Sequence, residues 1–201
     1  MFKCEFCGKE FKTESGFQKH CCEKKRRYNE FDEVAFRIWS IIGSVFNVRY
    51  PKNITTEGIK KMFINDKSYK AITMFAHWAV DTGVLDIVSY LKFLKHNVVP
   101  MKQWSQSRVY NAWLIQFLKN EPLSMATKRA EDYLEGLGLT LETISQNRLY
   151  LAIKYGIISV KYLKSKDFDI KGALEDVQWY EIRPMVMANE VMDFNNAIHN
   201  S

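Results

Sequence analysis

Cys4-Glu5-Phe6-Cys7-Gly8-Lys9-Glu10-Phe11, followed further on by His20-Cys21-Cys22-Glu23-Lys24-Lys25-Arg26-Arg27, is the stretch on which the reading of this chain turns. Cys4 and Cys7 are separated by two residues, and His20 follows after twelve more. Phe11 and Phe17 occupy the two places where a small metal finger keeps its apolar plug. Thiolate and imidazole at this spacing are a tetrahedral zinc ligand set, so Zn2+ is the expected cofactor. Metal is needed because so short a segment cannot bury enough surface to fold alone. All four cysteines of the chain lie at or before Cys22. That usage suits a metal site in a reducing compartment better than a disulfide framework.

The fourth ligand departs from the common finger pattern. A second histidine would fall at Lys24, Lys25 or Arg26, none of which can serve. Cys22 is favoured, since one intervening residue after His20 lets the chain reverse; Cys21 is the alternative. The metal set is therefore Cys4, Cys7, His20 and Cys22. A ββα finger is expected over residues 1–22, with a first strand at 2–6, the knuckle at Cys4–Cys7, a turn at Gly8, Phe11 on the second strand, and Thr13 capping a helix over 14–20. The positions that would face a nucleic-acid groove are Thr13, Ser15, Gly16 and Lys19. None is an arginine for guanine or an asparagine for adenine, so phosphate contact is expected rather than base reading.

Charge supports that expectation. Residues 1–28 hold eight Lys/Arg against four Glu, whereas the remaining chain holds 21 against 19, so most of the formal +6 sits at one end. A polyanion partner, DNA or RNA, is expected at Lys12, Lys19, Lys24, Lys25, Arg26 and Arg27, with residues 23–29 as a basic linker that continues as helix.

Residues 30–201 read as an all-α domain. The hydrophobic fraction of 47% supports a real core, and only four prolines and nine glycines fit long regular elements. Three- and four-residue apolar steps predict a helix over 30–48 with Phe31, Val34, Ala35, Ile38, Ile42 and Val45 inward. Further helices are expected over 56–65, 67–82, 85–95, 107–120, 124–134 (capped by Ser124), 141–155 and 159–164. The last two are expected over 170–179 and 184–198, the second with Pro184 at its first position. The fold class is mainly α, a small ββα finger followed by helices.

The segment from Cys4 to Phe11, with His20-Cys21-Cys22 and the basic run after it, resembles the N-terminus of a group of zinc-finger proteins of large tailed bacteriophages. In those a C-x2-C-x12-H-x-C finger runs into Lys/Arg residues and then a helical region. Tyr155-Gly156-Ile157-Ile158-Ser159 is similar to a Gly-x-Ile-Ser stretch near their C-terminal third. The resemblance implies a phage setting and supports Cys22 as the fourth ligand; it implies no activity.

No phosphate-binding loop, nucleophile elbow or His-Glu-x-x-His motif occurs, and no enzyme is expected. His77, beside Trp78, reads as a core or half-buried structural residue, His96 as a helix-end cation, and His199 as part of a frayed tail. Asp81, Asp86, Glu131 and Asp132 read as surface carboxylates, and Lys161, Lys164, Lys166 and Lys171 as a solvated face. No apolar leader or membrane-length run is seen, so a cytoplasmic setting is expected, in the host if phage-encoded. The expected function is that of a non-enzymatic zinc-binding accessory protein. Its finger and linker hold nucleic-acid phosphates, and its helical domain docks a replication, transcription or packaging partner. The alternative is a structural or assembly protein whose finger is a protein-docking element.

Overall fold

Residues 1–199 are described in a computed structural model, with side chains placed through residue 188. Helix dominates, and the one sheet among the described residues is a two-stranded ribbon at the N-terminus. The chain divides into two compact units, Met1–Asp81 with Leu91–Ser105 and Thr82–Tyr90 with Gln106–Ser201. No helix among the described residues is long and apolar enough to cross a membrane.

The first unit begins with β1 (Phe2–Lys3) and β2 (Glu10–Phe11), antiparallel with Phe2 opposite Phe11. The first strand is shorter than expected because the chain turns at Cys4, where its carbonyl accepts from Gly8 N–H. Helices α1 (Glu14–Gln18) and α2 (Glu23–Asn29) follow, then α3 (Glu33–Val45), α4 (Thr56–Asn65) and α5 (Tyr69–Thr82). The boundary between the units falls inside α6 (Ile87–His96), and a 3-10 turn at Met101–Gln103 ends the first unit's second segment.

Phe63, fully buried on α4, is the hub of this unit's core. Its ring centroid lies 5.6 Å from Trp39, 5.7 Å from Phe36 and 4.8 Å from Tyr69. The inward face of α3 is Ala35, Trp39, Ile42 and Gly43, whereas Val34 is exposed. That face is turned from the expected one because Trp39 carries the largest apolar area, and its indole N–H has a partner, Asp66 Oδ2 at 2.8 Å. Val80 is likewise exposed on α5, while Ile72, Phe75, Ala76 and Ala79 are buried as expected. Asp32 caps α3 by accepting from Ala35 N–H, and its second oxygen lies 2.7 Å from His77 Nε2. His77 is thus structural but exposed, with 54% of its side chain in solvent, not buried beside Trp78.

The second unit contains α7 (Ser107–Asn120), α8 (Leu123–Gly136), α9 (Gln146–Lys154), α10 (Val160–Ser165) and α11 (Asp176–His199). Tyr90, Tyr110 and Trp113 form its aromatic centre, with Tyr90 and Tyr110 meeting edge to face at 5.6 Å. Pro122, not Ser124, stands at the N-cap of α8, where its fixed φ of -61° leads into the helix at Leu123. The helix expected over 141–155 begins only at Gln146, and Gly156 closes it with φ of +75°. A Cβ at Gly156 would lie 2.8 Å from Leu114 Cδ1, so both conformation and space require glycine there.

In place of the two terminal helices expected at 170–179 and 184–198 there is one, which begins only at Asp176. Pro184 lies inside α11 rather than at a helix start. Its missing N–H leaves the Tyr180 carbonyl without its helical donor. Tyr180, Glu181, Arg183 and Pro184 are all exposed, so water can take that place. His199 falls where side chains are not described.

Candidate metal centre and basic helix

The short ribbon and two helix starts bring four donor atoms together. Cys4 leaves β1 and folds into the knuckle, its N–H donating to Lys9 O at 2.9 Å. Gly8 holds φ of +73° there, a left-handed position that would strain any residue with a Cβ. Thr13 caps α1 through its hydroxyl, accepting from Gly16 N–H, and α1 ends at Gln18, two residues earlier than expected. His20 comes just after that end, its ring packed 4.7 Å from the ring of Phe11. Phe17 packs against both Phe2 and Phe11 as the apolar plug.

Cys4, Cys7, His20 and Cys22 form a metal-binding cluster, with ligand atoms all within 4.8 Å of one another. Cys4 Sγ lies 4.0 Å from Cys22 Sγ, and Cys7 Sγ lies 3.3 Å from His20 Nε2. Ligands on a tetrahedron with bonds of about 2–2.3 Å stand roughly 3.5–3.8 Å apart, so the Cys4–Cys22 and Cys7–His20 pairs lie near the spacing one ion requires. Cys21 is exposed and outside the cluster. The thiols of Cys4 and Cys7 are shifted in opposite directions. Cys4 is held below the usual thiol range, first by the N–H of Cys7. At Cys7 the N–H of Lys9 pulls the same way, but burial and the Cys4 and Cys22 thiols outweigh it and push the group up. Neighbouring thiolates repel unless a cation lies between them, and a bound metal ion supplies that cation.

Cys22 has a second role. It is the N-cap of α2, with Sγ accepting from Lys25 N–H at 3.4 Å. The same bond fixes where the helix begins. The sequence held a signal for this, since a capping residue followed by Glu23 marks a helix start. The divided roles of the two cysteines give a direct check. Cys22→Ser is expected to lose bound metal, and Cys21→Ser to keep a full equivalent, by elemental analysis of protein purified without chelator. Equal loss in both would overturn the assignment.

The chain matches no protein-family model, and no curated protein or solved structure gives a significant match.

The six basic residues expected to meet nucleic acid divide into two groups. Lys12, Lys19, Lys24 and Arg26 are exposed. Lys25 is half-buried, donating to His20 O at 3.4 Å and lying over the Phe17 ring. Arg27 is also half-buried: it pairs with Glu23, donates to Ile64 O at 3.1 Å and stacks 4.3 Å over the Tyr69 ring. It joins α2 to α4 and α5. Two further contacts seat the finger on the first unit, Glu5 with Lys61 at 3.1 Å and Phe6 with Tyr28 at 5.1 Å between ring centroids. The Tyr28 phenol is pushed up by its hydrogen bond to Glu57. Glu23 and Arg27 are a local pair four residues apart on α2, whereas the partners Ile64, Tyr69, Lys61 and Glu57 lie on other helices and show in no local sequence pattern.

In the second unit, Lys161 donates to Lys119 O and Glu121 O, and Lys166 pairs with Glu131 at 3.4 Å. Lys161 is half-buried and braces the chain rather than facing solvent, whereas Lys166 stays exposed as expected, with a surface ion pair.

Proposed function

We propose that the cluster holds zinc and that the protein is a nucleic-acid-binding accessory factor, with the metal-folded finger and α2 contacting phosphates. The observation that carries this reading is that Cys22, last ligand of the cluster, caps α2, so the metal centre sets the start of the most cationic helix. Three thiolates and one imidazole are a common set for structural zinc. Lys12, Lys19, Lys24 and Arg26 are in solvent, where cations displace counterions from a phosphate backbone. The helical units then carry the partner-docking role. The exposed Val177, Tyr180 and Met187 on α11 support it, since large apolar side chains in water mark contact surfaces. The phage setting rests on the resemblance of the finger and basic run.

A mobility shift against salt, on single- and double-stranded DNA and RNA, tests the reading. Duplex binding is expected to weaken with a log–log slope of about -0.9 per phosphate contacted, and Lys12→Gln with Lys24→Gln to flatten that slope. No binding to any of these at low salt would end the proposal. A second reading, a structural or assembly protein, is favoured by the contacts of Glu5 and Phe6 that use the finger as a brace on its own chain. Recovery of the chain in purified virions would select it.

A further inference from the structure

Between α2 and α5, both in the first unit, lies a cleft of about 340 Å3. Glu23, Arg26, Arg27 and Glu30 line it from α2, and Tyr69, Lys70 and Thr73 from α5. On α2 these are positions three and four apart, one face of the helix. Arg27 is not available to a ligand, since Glu23, Ile64 O and the Tyr69 ring hold it. It neutralises Glu23. What is left is Arg26 and Lys70 against the single carboxylate of Glu30. Arg26 and Lys70 are exposed, and neither makes an ion pair among the described residues.

An independent feature lies in the same wall. Thr73 Oγ1 is buried and has no hydrogen-bond partner among the described residues. An unpaired buried hydroxyl is costly, and native structures rarely leave one without a purpose. A threonine on a helix has two accessible χ1 rotamers, so this hydroxyl can turn toward the cleft.

From this juxtaposition we infer that the α2–α5 cleft is a phosphate seat: Arg26 and Lys70 supply the charge, Thr73 supplies a hydroxyl donor, and the occupant is a backbone phosphate of bound nucleic acid. The seat rests on the nucleic-acid function proposed above and extends it from the finger to α5. It adds Lys70 and Thr73, which stand more than forty residues beyond the basic run. It also gives Arg27 a role as the pinned residue that neutralises Glu23 and keeps the cleft open to an anion.

The test uses the full chain and fluorescence anisotropy with labelled single- and double-stranded DNA and RNA across a salt series, with inorganic phosphate and ATP as competing free phosphates. Arg26→Gln and Lys70→Gln are each expected to lower the salt slope by about one. Glu30→Gln is expected to tighten binding several-fold, an increase that misfolding cannot produce. Thr73→Val is expected to weaken binding while leaving the unfolding midpoint equal or higher, because the substitution removes an unsatisfied buried hydroxyl. If nucleic acid binds but the slopes of Arg26→Gln and Lys70→Gln match the parent, the seat is wrong and the finger reading stands. If no nucleic acid binds, yet ATP or phosphate saturates a site lost in Arg26→Gln and Lys70→Gln, the seat stands with a free phosphate as occupant and the nucleic-acid reading falls. Absence of all phosphate binding overturns both.

Discussion

Cys4→Ser is expected to release the metal and unfold residues 1–22 while the helices beyond α2 persist. Cys4 is the one ligand of the four that is fully buried, with 3% exposure, and it joins the β1–β2 ribbon to the knuckle. The ribbon is two residues per strand and α1 only five residues, too little to persist without a metal. Structural zinc in small fingers contributes about 10–16 kcal/mol of apparent binding energy, and on the zinc reading proposed above that would be folding energy for residues 1–22. Serine offers no thiolate, so most of it is forfeited. Elemental analysis should fall well below one equivalent, and trypsin should cut faster after the exposed Lys9, Lys12 and Lys19 once the backbone around them is no longer held in the finger. The core around Phe63 and the Tyr90–Trp113 cluster contains no metal ligand, so most of the helical circular dichroism signal should remain. Chelation of the parent protein should reproduce the same pattern. A Cys4→Ser chain that retains its metal and resists trypsin would show that the cluster is not what folds this segment.

The second large effect is expected at Arg129. Its guanidinium pairs with both oxygens of Glu121, with Nη2 donating to Oε2 at 2.7 Å, and its Nε donates to the carbonyls of Gly156 and Ile157 at 3.1 and 3.2 Å. The Glu121 side chain is only 2% exposed. Arg129→Met keeps much of the side-chain volume but leaves a buried carboxylate with no cation. Breaking a buried pair from one side costs about 3–5 kcal/mol. Urea denaturation followed by tryptophan fluorescence should show a loss of unfolding free energy of that size, as a lower midpoint with little change in slope. Replacing both partners, Glu121→Leu with Arg129→Met, should recover a large part of the loss, because the stranded charge goes with its partner. The Gly156 and Ile157 carbonyls still lose a donor, so recovery should be incomplete. A loss under about 1 kcal/mol in the single variant would mean that water reaches Glu121.

The finger was legible because its ligand spacing is covalent. Two residues between Cys4 and Cys7 and twelve before His20 fix which atoms can meet, whatever the rest of the chain does. The all-α architecture was legible too, because apolar residues at helical spacing must face a core. What the spacing left open was which face. On α3, Val34, Ala35, Ile38, Trp39, Ile41 and Ile42 are apolar nearly all round, and only packing against Phe63 selects Ala35, Trp39 and Ile42. Pro184 misled in another way. A proline penalty argues for a helix start, but an exposed turn of a long helix tolerates the loss of one donor. Ion pairs were invisible for a third reason. Glu121 and Arg129 stand eight residues apart on either side of Pro122, and Arg27 with Ile64 and Tyr69 spans three helices. No local pattern marks such a pair. The same distance hid Lys70 and Thr73 from any reading of the basic run.

The double duty of Cys22 makes metal occupancy and helix formation two sides of one thermodynamic linkage. Its Sγ is one of the four clustered ligand atoms and also the acceptor for Lys25 N–H, so on the metal reading proposed above forming α2 would orient the sulfur toward the ion, and holding the ion would favour the nucleation of α2. Linked equilibria are reciprocal: a ligand that favours the helical state of α2 must tighten metal binding by the factor with which metal tightens that ligand. A polyanion resting on Lys24 and Arg26 would therefore slow the escape of zinc to a chelator. On the nucleic-acid reading proposed above, oxidation of Cys22 would act in the opposite direction, loosening polyanion binding without touching Lys24 or Arg26.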